Sequence, residues 1–163
     1  MTSYMGRLRG EGLRVAVVTS RFNDLVTDRL LAGCLDGLER LGVDPSSVTR
    51  ASVPGALELP LAAQRLASSG DHDSVVCLGA VIRGSTDHHV HVGGQCATGL
   101  ARIQLDTGIP VVFGVLTTDS LEQALERAGG KSGNKGFEAA ATAVEMVDLL
   151  RQLPKPSLEQ PGG

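Results

Sequence analysis

The sequence is poor in aromatic residues, which make up 2% of the 163 residues as three Phe, one Tyr and no Trp. It also lacks a run of Lys and Arg, and its formal net charge is -3 at pH 7. Proteins that bind nucleic acids or anionic membrane surfaces need clustered cationic side chains to neutralise phosphates. The composition therefore predicts neither a nucleic-acid partner nor a membrane partner.

Long apolar runs and closely spaced cysteines are missing as well. No apolar stretch reaches the roughly 18 residues that a membrane span requires, and residues 1–5 lack the charged-then-apolar pattern of a signal peptide. Cys34, Cys77 and Cys96 each lie in an apolar segment, without the short spacing of zinc or redox pairs. We therefore expect a cytoplasmic protein with buried free thiols.

Four short apolar segments are present instead, at residues 15–18, 48–53, 75–82 and 111–115, of which residues 48–53 fit more loosely. Their continuous hydrophobicity is typical of strands that are buried on both faces of a parallel sheet. Segments of helical period alternate with them and cover about residues 30–41, 58–68, 90–106, 120–129 and 137–153. The alternation predicts a doubly wound α/β fold, a four-stranded parallel sheet flanked by helices in a flavodoxin-like three-layer α/β/α arrangement.

The two ends of the chain differ from this predicted core, which we place at residues 13–153 as a single domain. Residues 1–12 carry glycines among charged residues and predict an N-terminal arm, or a strand that pairs with a neighbouring subunit. Residues 154–163 begin with two prolines and are polar, so we predict a disordered tail.

Local signals also predict where two of the helices begin or end. Gly42 follows the first helical segment and predicts a left-handed stop. Ser120 and Gln123 have the spacing of a capping box, and Gly129 is expected to end the helix that begins there.

The loops that follow the strands form the candidate site, because ligands of open parallel sheets bind beyond the carboxyl ends of the strands. Phe22 is an apolar ring in a polar turn, which suggests either a stacking platform for a flat heterocycle or a hydrophobic anchor beneath the loop. Glu58 begins a helix, where its negative charge interacts favourably with the helix dipole even without a ligand.

The loop after the third strand carries the candidate anion site. Gly84-Ser85-Thr86 is expected to open a helix, whose free N–H groups favour phosphate, although an ordinary N-cap explains the same residues. The Arg127 guanidinium has the geometry to donate two parallel hydrogen bonds to phosphate, but a lone helical Arg is usually solvated. His88 follows the turn and has the chemistry to transfer protons near neutral pH.

His89 and His91, close to His88, invite a metal interpretation. A zinc site needs three or four converging ligands, and Asp87 is the one further candidate nearby in sequence. We therefore predict no metal.

Five ordered blocks stand out in these loops: Ser20-Arg-Phe-Asn23, Pro54-Gly-Ala-Leu-Glu-Leu-Pro60, Gly79-Ala-Val-Ile-Arg-Gly84, Gly114-Val-Leu-Thr-Thr118 and Gly133-Asn-Lys-Gly136. In order and spacing they resemble the lumazine synthase family, over roughly residues 13–150. The resemblance implies the penultimate step of riboflavin biosynthesis. In that step 5-amino-6-(D-ribitylamino)uracil and 3,4-dihydroxy-2-butanone 4-phosphate condense to 6,7-dimethyl-8-ribityllumazine, with loss of phosphate and water and without a cofactor.

The resemblance also implies roles for individual residues. Phe22 would stack on the pyrimidine, the Glu58 carboxylate would bind the ribityl hydroxyls, and Phe113 would close the site from a neighbouring subunit. His88 would be the proton-transfer residue, with Lys135 close by. The backbone that would hold the edges of the pyrimidine belongs to Ala56, Leu57, Ala80, Val81 and Ile82. The residues that would bind the phosphate are Ser85, Thr86 and Arg127.

The chain departs from the family's usual pattern at three places. Leu57 stands where Phe is usual, and residues 89–91 read His-Val-His where an aromatic, an acid and another aromatic are typical. Gly94 and Gln95 stand where Asn and Glu are common. The second departure changes the surroundings of His88, and the third affects how the third helix begins.

Assembly is also implied by the resemblance, because pentamers are the basic unit of the family and some members join twelve pentamers into an icosahedral shell. The short connection of residues 129–136 resembles that of shell-forming members. We therefore predict a homo-oligomer, a pentamer within an icosahedral 60-mer, with riboflavin synthase as a further partner. The alternatives are a flavin- or lumazine-binding or shell-forming homologue without activity, and a His-cluster metal hydrolase.

Overall fold

A four-stranded parallel sheet with strand order β2-β1-β3-β4 forms the centre of the molecule. The structure, a computed structural model, describes residues 1–157. The strands are β1 (Val15–Ser20), β2 (Val48–Val53), β3 (Ser74–Ile82) and β4 (Val111–Thr118). The predicted strands are thus confirmed, and β1 and β4 extend further towards their carboxyl ends than the apolar runs indicate.

Five helices connect and follow these strands, as predicted. They are α1 (Asp24–Arg40), α2 (Leu59–Ser68), α3 (His88–Thr107), α4 (Leu121–Glu126) and α5 (Lys135–Gln152). Short 3-10 turns at Pro45–Ser47 and Ala56–Glu58 precede β2 and α2. A small antiparallel hairpin, which the sequence did not predict, joins α4 to α5 through β5 (Ala128–Gly130) and β6 (Gly133–Asn134).

Two hydrophobic clusters cover the two faces of the sheet and define three layers. Val15 and Val17 of β1 point into the cluster that contains α1 and α5, whereas Ala16 and Val18 point into the cluster that contains α2 and α3. Every residue of β1 is buried. A strand covered on both faces needs apolar residues at consecutive positions, which explains the continuous apolar runs of β1 and β3. β2 differs from the prediction, because it lies at the edge of the sheet and Val53 is its one buried residue.

The predicted signals at the ends of α1 and α4 are largely confirmed. Gly42 adopts a φ of 99° directly after α1, and its N–H donates to the carbonyl of Glu39 at 3.0 Å. Ser120 Oγ accepts the N–H of Gln123 at 3.2 Å, as in a capping box. In a complete capping box the Gln123 side chain would accept the N–H of Ser120. Here it accepts the N–H of Asp119 instead.

Three predicted helix boundaries are wrong. Gly129 does not end α4, which stops at Glu126, because residues 128–130 pair with residues 133–134 in the hairpin. α1 begins six residues before the predicted Leu30, and α3 begins at His88 rather than Val90. The first turn of α1 mixes buried Val26 and Thr27 with exposed residues, and three of the first four residues of α3 are histidines, so neither turn shows a clear apolar face in the sequence.

Residues 5–7 of the arm lie along the carboxyl half of the chain's own α5. The N–H of Arg7 donates to Asp148 Oδ2 at 2.7 Å, and Gln152 Nε2 donates to the carbonyl of Met5 at 2.7 Å. These residues form no strand here, so strand pairing with a neighbouring subunit stays a prediction. The predicted disordered tail, residues 154–163, lies outside the described residues from residue 158 onward.

The three cysteines are free and buried, as predicted. Burial raises the pKa of the Cys34 thiol to about 12 and that of the Cys96 thiol to about 11. Within the part of the chain that the structure describes, no helix has the length and apolar character to cross a membrane.

Candidate functional site

A cavity of about 400 Å³ lies beyond the carboxyl ends of β1, β2 and β3. Because the strands are parallel, these ends meet at one edge of the sheet, and the loops that follow them form the walls. The structure brings together most of the predicted site residues there. Those that line the cavity are Phe22, Ala56, Leu57, Glu58, Ala80, Val81, Ile82, Ser85, Thr86 and His88.

Phe22 presents its ring to the cavity and to solvent. The side chain is 73% exposed. The loop beneath it is held by the backbone, since the N–H of Arg21 donates to Val53 O at 2.8 Å and that of Phe22 to Pro54 O at 3.0 Å. A ring that is so exposed does not anchor the loop, and its face is available for a planar ligand.

Asn23 is a member of the site that the sequence analysis missed. Its φ of 63° is the one positive φ of a non-glycine residue in residues 1–157. The side-chain amide donates to the carbonyl of Ala80 at 2.9 Å, and the backbone carbonyl accepts the N–H groups of Val26 and Thr27 as α1 begins. An Asn before a helix is a recognisable signal, but the late predicted start of α1 concealed it.

Glu58 ends the 3-10 turn that follows β2 and is exposed at the cavity. Its Oε2 accepts the N–H of Gly55 at 3.0 Å, which fixes the carboxylate beside the turn. Leu57 is 51% exposed, and Ala56 is buried. The site therefore has a carboxylate that is held in place at the edge of the cavity.

The loop of residues 83–88 is exposed throughout and leads into α3. The prediction that Gly84-Ser85-Thr86 opens the helix needs correction, because these residues precede the first turn. Asp87 is the N-cap residue without a side-chain cap bond, and α3 starts at His88. Thr86 Oγ1 accepts the N–H of His88 at 3.4 Å. The positive end of the α3 dipole still lies at the cavity, where it favours an anion.

Two histidines at this end of α3 differ in environment. Both line the cavity, but His88 is exposed, whereas His89 is 7% exposed. His89 Nε2 lies 3.9 Å from Asp119 Oδ1. Arg83 Nη1 lies 3.8 Å from the same oxygen, and Arg83 Nη2 lies 3.7 Å from Asp87 Oδ1.

Phe113 and Lys135 do not reach this cavity within one chain. They line a second cavity of about 310 Å³ at the outer edge of β4, between α3 and α5. Phe113 is 39% exposed, and Lys135 Nζ lies 3.9 Å from Glu138 Oε2.

Arg127 belongs with this second group of residues. It follows the last residue of α4, and its Nη1 donates to the carbonyl of Gln123 at 3.4 Å. Its own carbonyl accepts the N–H of Lys135 at 2.8 Å, so the two backbones are adjacent. The predicted site residues thus form one group around Phe22 and another along β4, α4 and α5.

The histidines do not gather metal ligands in the structure. Among residues 1–157, no three His, Cys, Asp or Glu side chains are placed so that they could hold a metal ion.

Comparison with models of protein families identifies the family of the chain. The family model for 6,7-dimethyl-8-ribityllumazine synthase matches residues 12–151 of the chain. The match includes both groups of site residues.

Proposed function

Because the chain belongs to the 6,7-dimethyl-8-ribityllumazine synthase family of riboflavin biosynthesis, we propose that it catalyses the condensation that forms 6,7-dimethyl-8-ribityllumazine. The pyrimidine 5-amino-6-(D-ribitylamino)uracil reacts with 3,4-dihydroxy-2-butanone 4-phosphate. The products are 6,7-dimethyl-8-ribityllumazine, called lumazine below, phosphate and water. The observation that carries the proposal is the cavity of about 400 Å³. It combines an exposed ring, a preoriented carboxylate, a helix amino end and an exposed histidine.

The pyrimidine would bind in the half of the cavity next to β1 and β2. Its ring would stack on Phe22, and the backbone of the 56–57 turn and of residues 80–82 would contact its edges. The Ala80 carbonyl is already bonded to Asn23. The ribityl hydroxyls would donate to Glu58, whose carboxylate is held in place by Gly55. Binding to preoriented groups loses less side-chain entropy than binding to mobile ones.

The sugar phosphate would bind in the other half, where the α3 amino end and the Ser85 and Thr86 hydroxyls favour an anion. His88 would move protons during imine formation, phosphate elimination and ring closure. These steps depend on aligned reactants and a proton carrier rather than on a strong nucleophile, and such a carrier typically contributes about 10²- to 10⁴-fold in rate.

We further propose that each complete site lies between two subunits. Phe113, Arg127 and Lys135 occupy a separate surface at the β4 edge of the chain. A neighbouring copy would bring that surface against the Phe22 cavity, so that Phe113 closes the site and the Arg127 and Lys135 cations face the phosphate. A head-to-tail contact of this kind uses two different surfaces of each subunit and closes into a ring.

The open edge of β2 supports the predicted role of the N-terminal arm in assembly. Among residues 1–157, β2 pairs with β1 alone, and a cavity of about 510 Å³ lies between this strand and α1. An unpaired strand edge is a template for another strand. We propose that the arm of a neighbouring subunit adds to it in a pentamer, and that pentamers form the icosahedral shell. Cytoplasmic localisation and riboflavin synthase as a partner stay predictions.

The decisive experiment is turnover of the purified protein with both substrates and without added metal. We expect the absorbance of lumazine to appear at a rate proportional to active sites. Binding of the pyrimidine without product would instead support the homologue that lacks activity. Light scattering of the same preparation distinguishes a pentamer from a shell.

A further inference from the structure

His89 occupies an unusual position on α3. The buried positions of this helix are residues 89, 93, 96, 100 and 103, which repeat at the spacing of one helix face. All of them except His89 are glycine or apolar. His89 is also the first buried residue after an exposed loop of six. It therefore determines where the α3 amino end is held against the rest of the fold.

A histidine at this position is costly for folding. Its Nδ1 is buried and has no hydrogen-bond partner within residues 1–157. Burial of a polar atom without a partner is unfavourable, and such atoms in a native fold call for an explanation. An apolar ring of similar size would fill the same space without that cost. The nitrogen of His89 that has a polar neighbour is Nε2.

That nitrogen, Nε2, faces the carboxylate of Asp119, which follows the end of β4. Asp119 is held in turn, because its N–H donates to Gln123 and its carboxylate lies next to Arg83. Arg83 also reaches Asp87, on the far side of the 84–86 turn. The four side chains thus connect the ends of β3 and β4 to the first turn of α3.

We propose that His89 is a positioning residue of the active site. Through Asp119 it holds the first turn of α3 against the end of β4, and so fixes His88 and the 84–86 turn at the cavity. The inference rests on the proposed function. It concerns the phosphate half of the site alone, since the Phe22 loop is tied to β2 and β3 by separate bonds.

The test compares His89→Phe with the wild-type protein. Phenylalanine retains a ring of similar size and removes both nitrogens. We expect an equal or higher Tm, because the unpaired Nδ1 is gone. We also expect kcat to fall about threefold or more, which is the size expected for the loss of one weak polar contact. The KM of the sugar phosphate should rise, while the Kd of the pyrimidine should not change.

Asp119 variants separate the contact from other effects. Asp119→Ala should reproduce the kinetic change, and the double variant should be no worse than either single one, since both remove the same contact. Asp119→Asn retains a side-chain oxygen next to Nε2 and should keep most of the activity. His91→Asn, at an exposed position two residues along, serves as the matched control and should behave as wild type.

A readout that is independent of turnover completes the test. Hydrogen exchange of residues 84–90 should be faster in His89→Phe, and inorganic phosphate should bind more weakly. A lower Tm with unchanged kcat, KM and exchange would mean that His89 is structural only, and the proposal would be wrong. If the wild-type protein makes no lumazine, the proposed function fails, and exchange and phosphate binding still decide the role of His89.

Discussion

Asn23 donates a hydrogen bond of 2.9 Å to the carbonyl of Ala80, and so joins the loop that carries Phe22 to the end of β3. The two residues lie 57 positions apart in the chain. The bond fixes the distance between the exposed ring and the strand that forms the back wall of the cavity. It also uses one acceptor that would otherwise be open to a ligand.

Substitution of Asn23 should damage both stability and binding. Asn23→Ala removes the bond and leaves an ordinary side chain at a φ of 63°. We expect a loss of about 1–3 kcal/mol in stability and a higher KM for the pyrimidine. Asn23→Gly removes the bond but suits the backbone, so it should lower Tm less. Equal effects of the two substitutions on Tm would show that the backbone conformation contributes nothing.

Substitution of Phe22 should affect binding without affecting the fold, because the ring is 73% exposed. We expect Phe22→Ala to weaken pyrimidine binding by about tenfold, the size of an aromatic stacking contact. Phe22→Tyr retains the ring face and should bind as wild type. Isothermal titration with the pyrimidine gives both constants, and a Kd unaffected by Phe22→Ala would contradict stacking.

Substitution of His88 should slow the reaction and leave assembly intact. The side chain is exposed and lies at the start of α3, so it adds little to the core. His88→Ala should reduce kcat by about 10²-fold or more if this residue carries the proton. Light scattering checks that the particle is unchanged. A kcat equal to that of wild type would place proton transfer at another residue.

Mixed oligomers test whether the site is shared between subunits. Phe22→Ala damages the first group of residues, and Arg127→Ala damages the second. Arg127→Ala should raise the KM of the sugar phosphate more than it raises the KM of the pyrimidine. When the two variants are unfolded and reassembled together, about a quarter of the interfaces combine two intact surfaces. Activity should therefore exceed the mean of the two separate variants. Activity equal to that mean would place both groups in one chain's own site.

Asn134 is expected to be the most sensitive position in the connection to α5. Its side-chain oxygen accepts the N–H groups of Gly136 and Phe137 at 2.8 and 3.2 Å, and its amide donates to Arg29 O on α1 at 3.1 Å. Asn134→Ala should cost about 1–2 kcal/mol. Asn134→Asp retains the cap and loses the donor, so its Tm should lie between those of wild type and Asn134→Ala. Thermal unfolding at one protein concentration measures both variants.

The sheet was predictable from the sequence because burial on both faces leaves consecutive apolar residues such as Val17 and Val18. The helix starts were less predictable. The first turns that begin at Asp24 and His88 mix polar with apolar residues, and the hairpin that contains Gly129 has no apolar pattern.

The candidate site was predictable in its parts but not in its arrangement. The parallel topology explains why the loops after β1, β2 and β3 meet at one cavity. No local sequence pattern shows that Phe113 and Phe22 line different cavities. That separation depends on where β4 and the loop after β1 lie in the folded sheet. The contact of His89 with Asp119 spans 30 residues and likewise depends on tertiary packing.

The placement of Phe22 and Phe113 in different cavities has a consequence for how the protein responds to dilution. On the proposed function, a solitary chain holds two unlike half-sites and no whole one, so catalysis is a property of the closed ring. Turnover per chain would then vanish at concentrations where rings dissociate, even though each chain stays folded. A chain at the broken end of an incomplete ring would bind pyrimidine and release it unchanged.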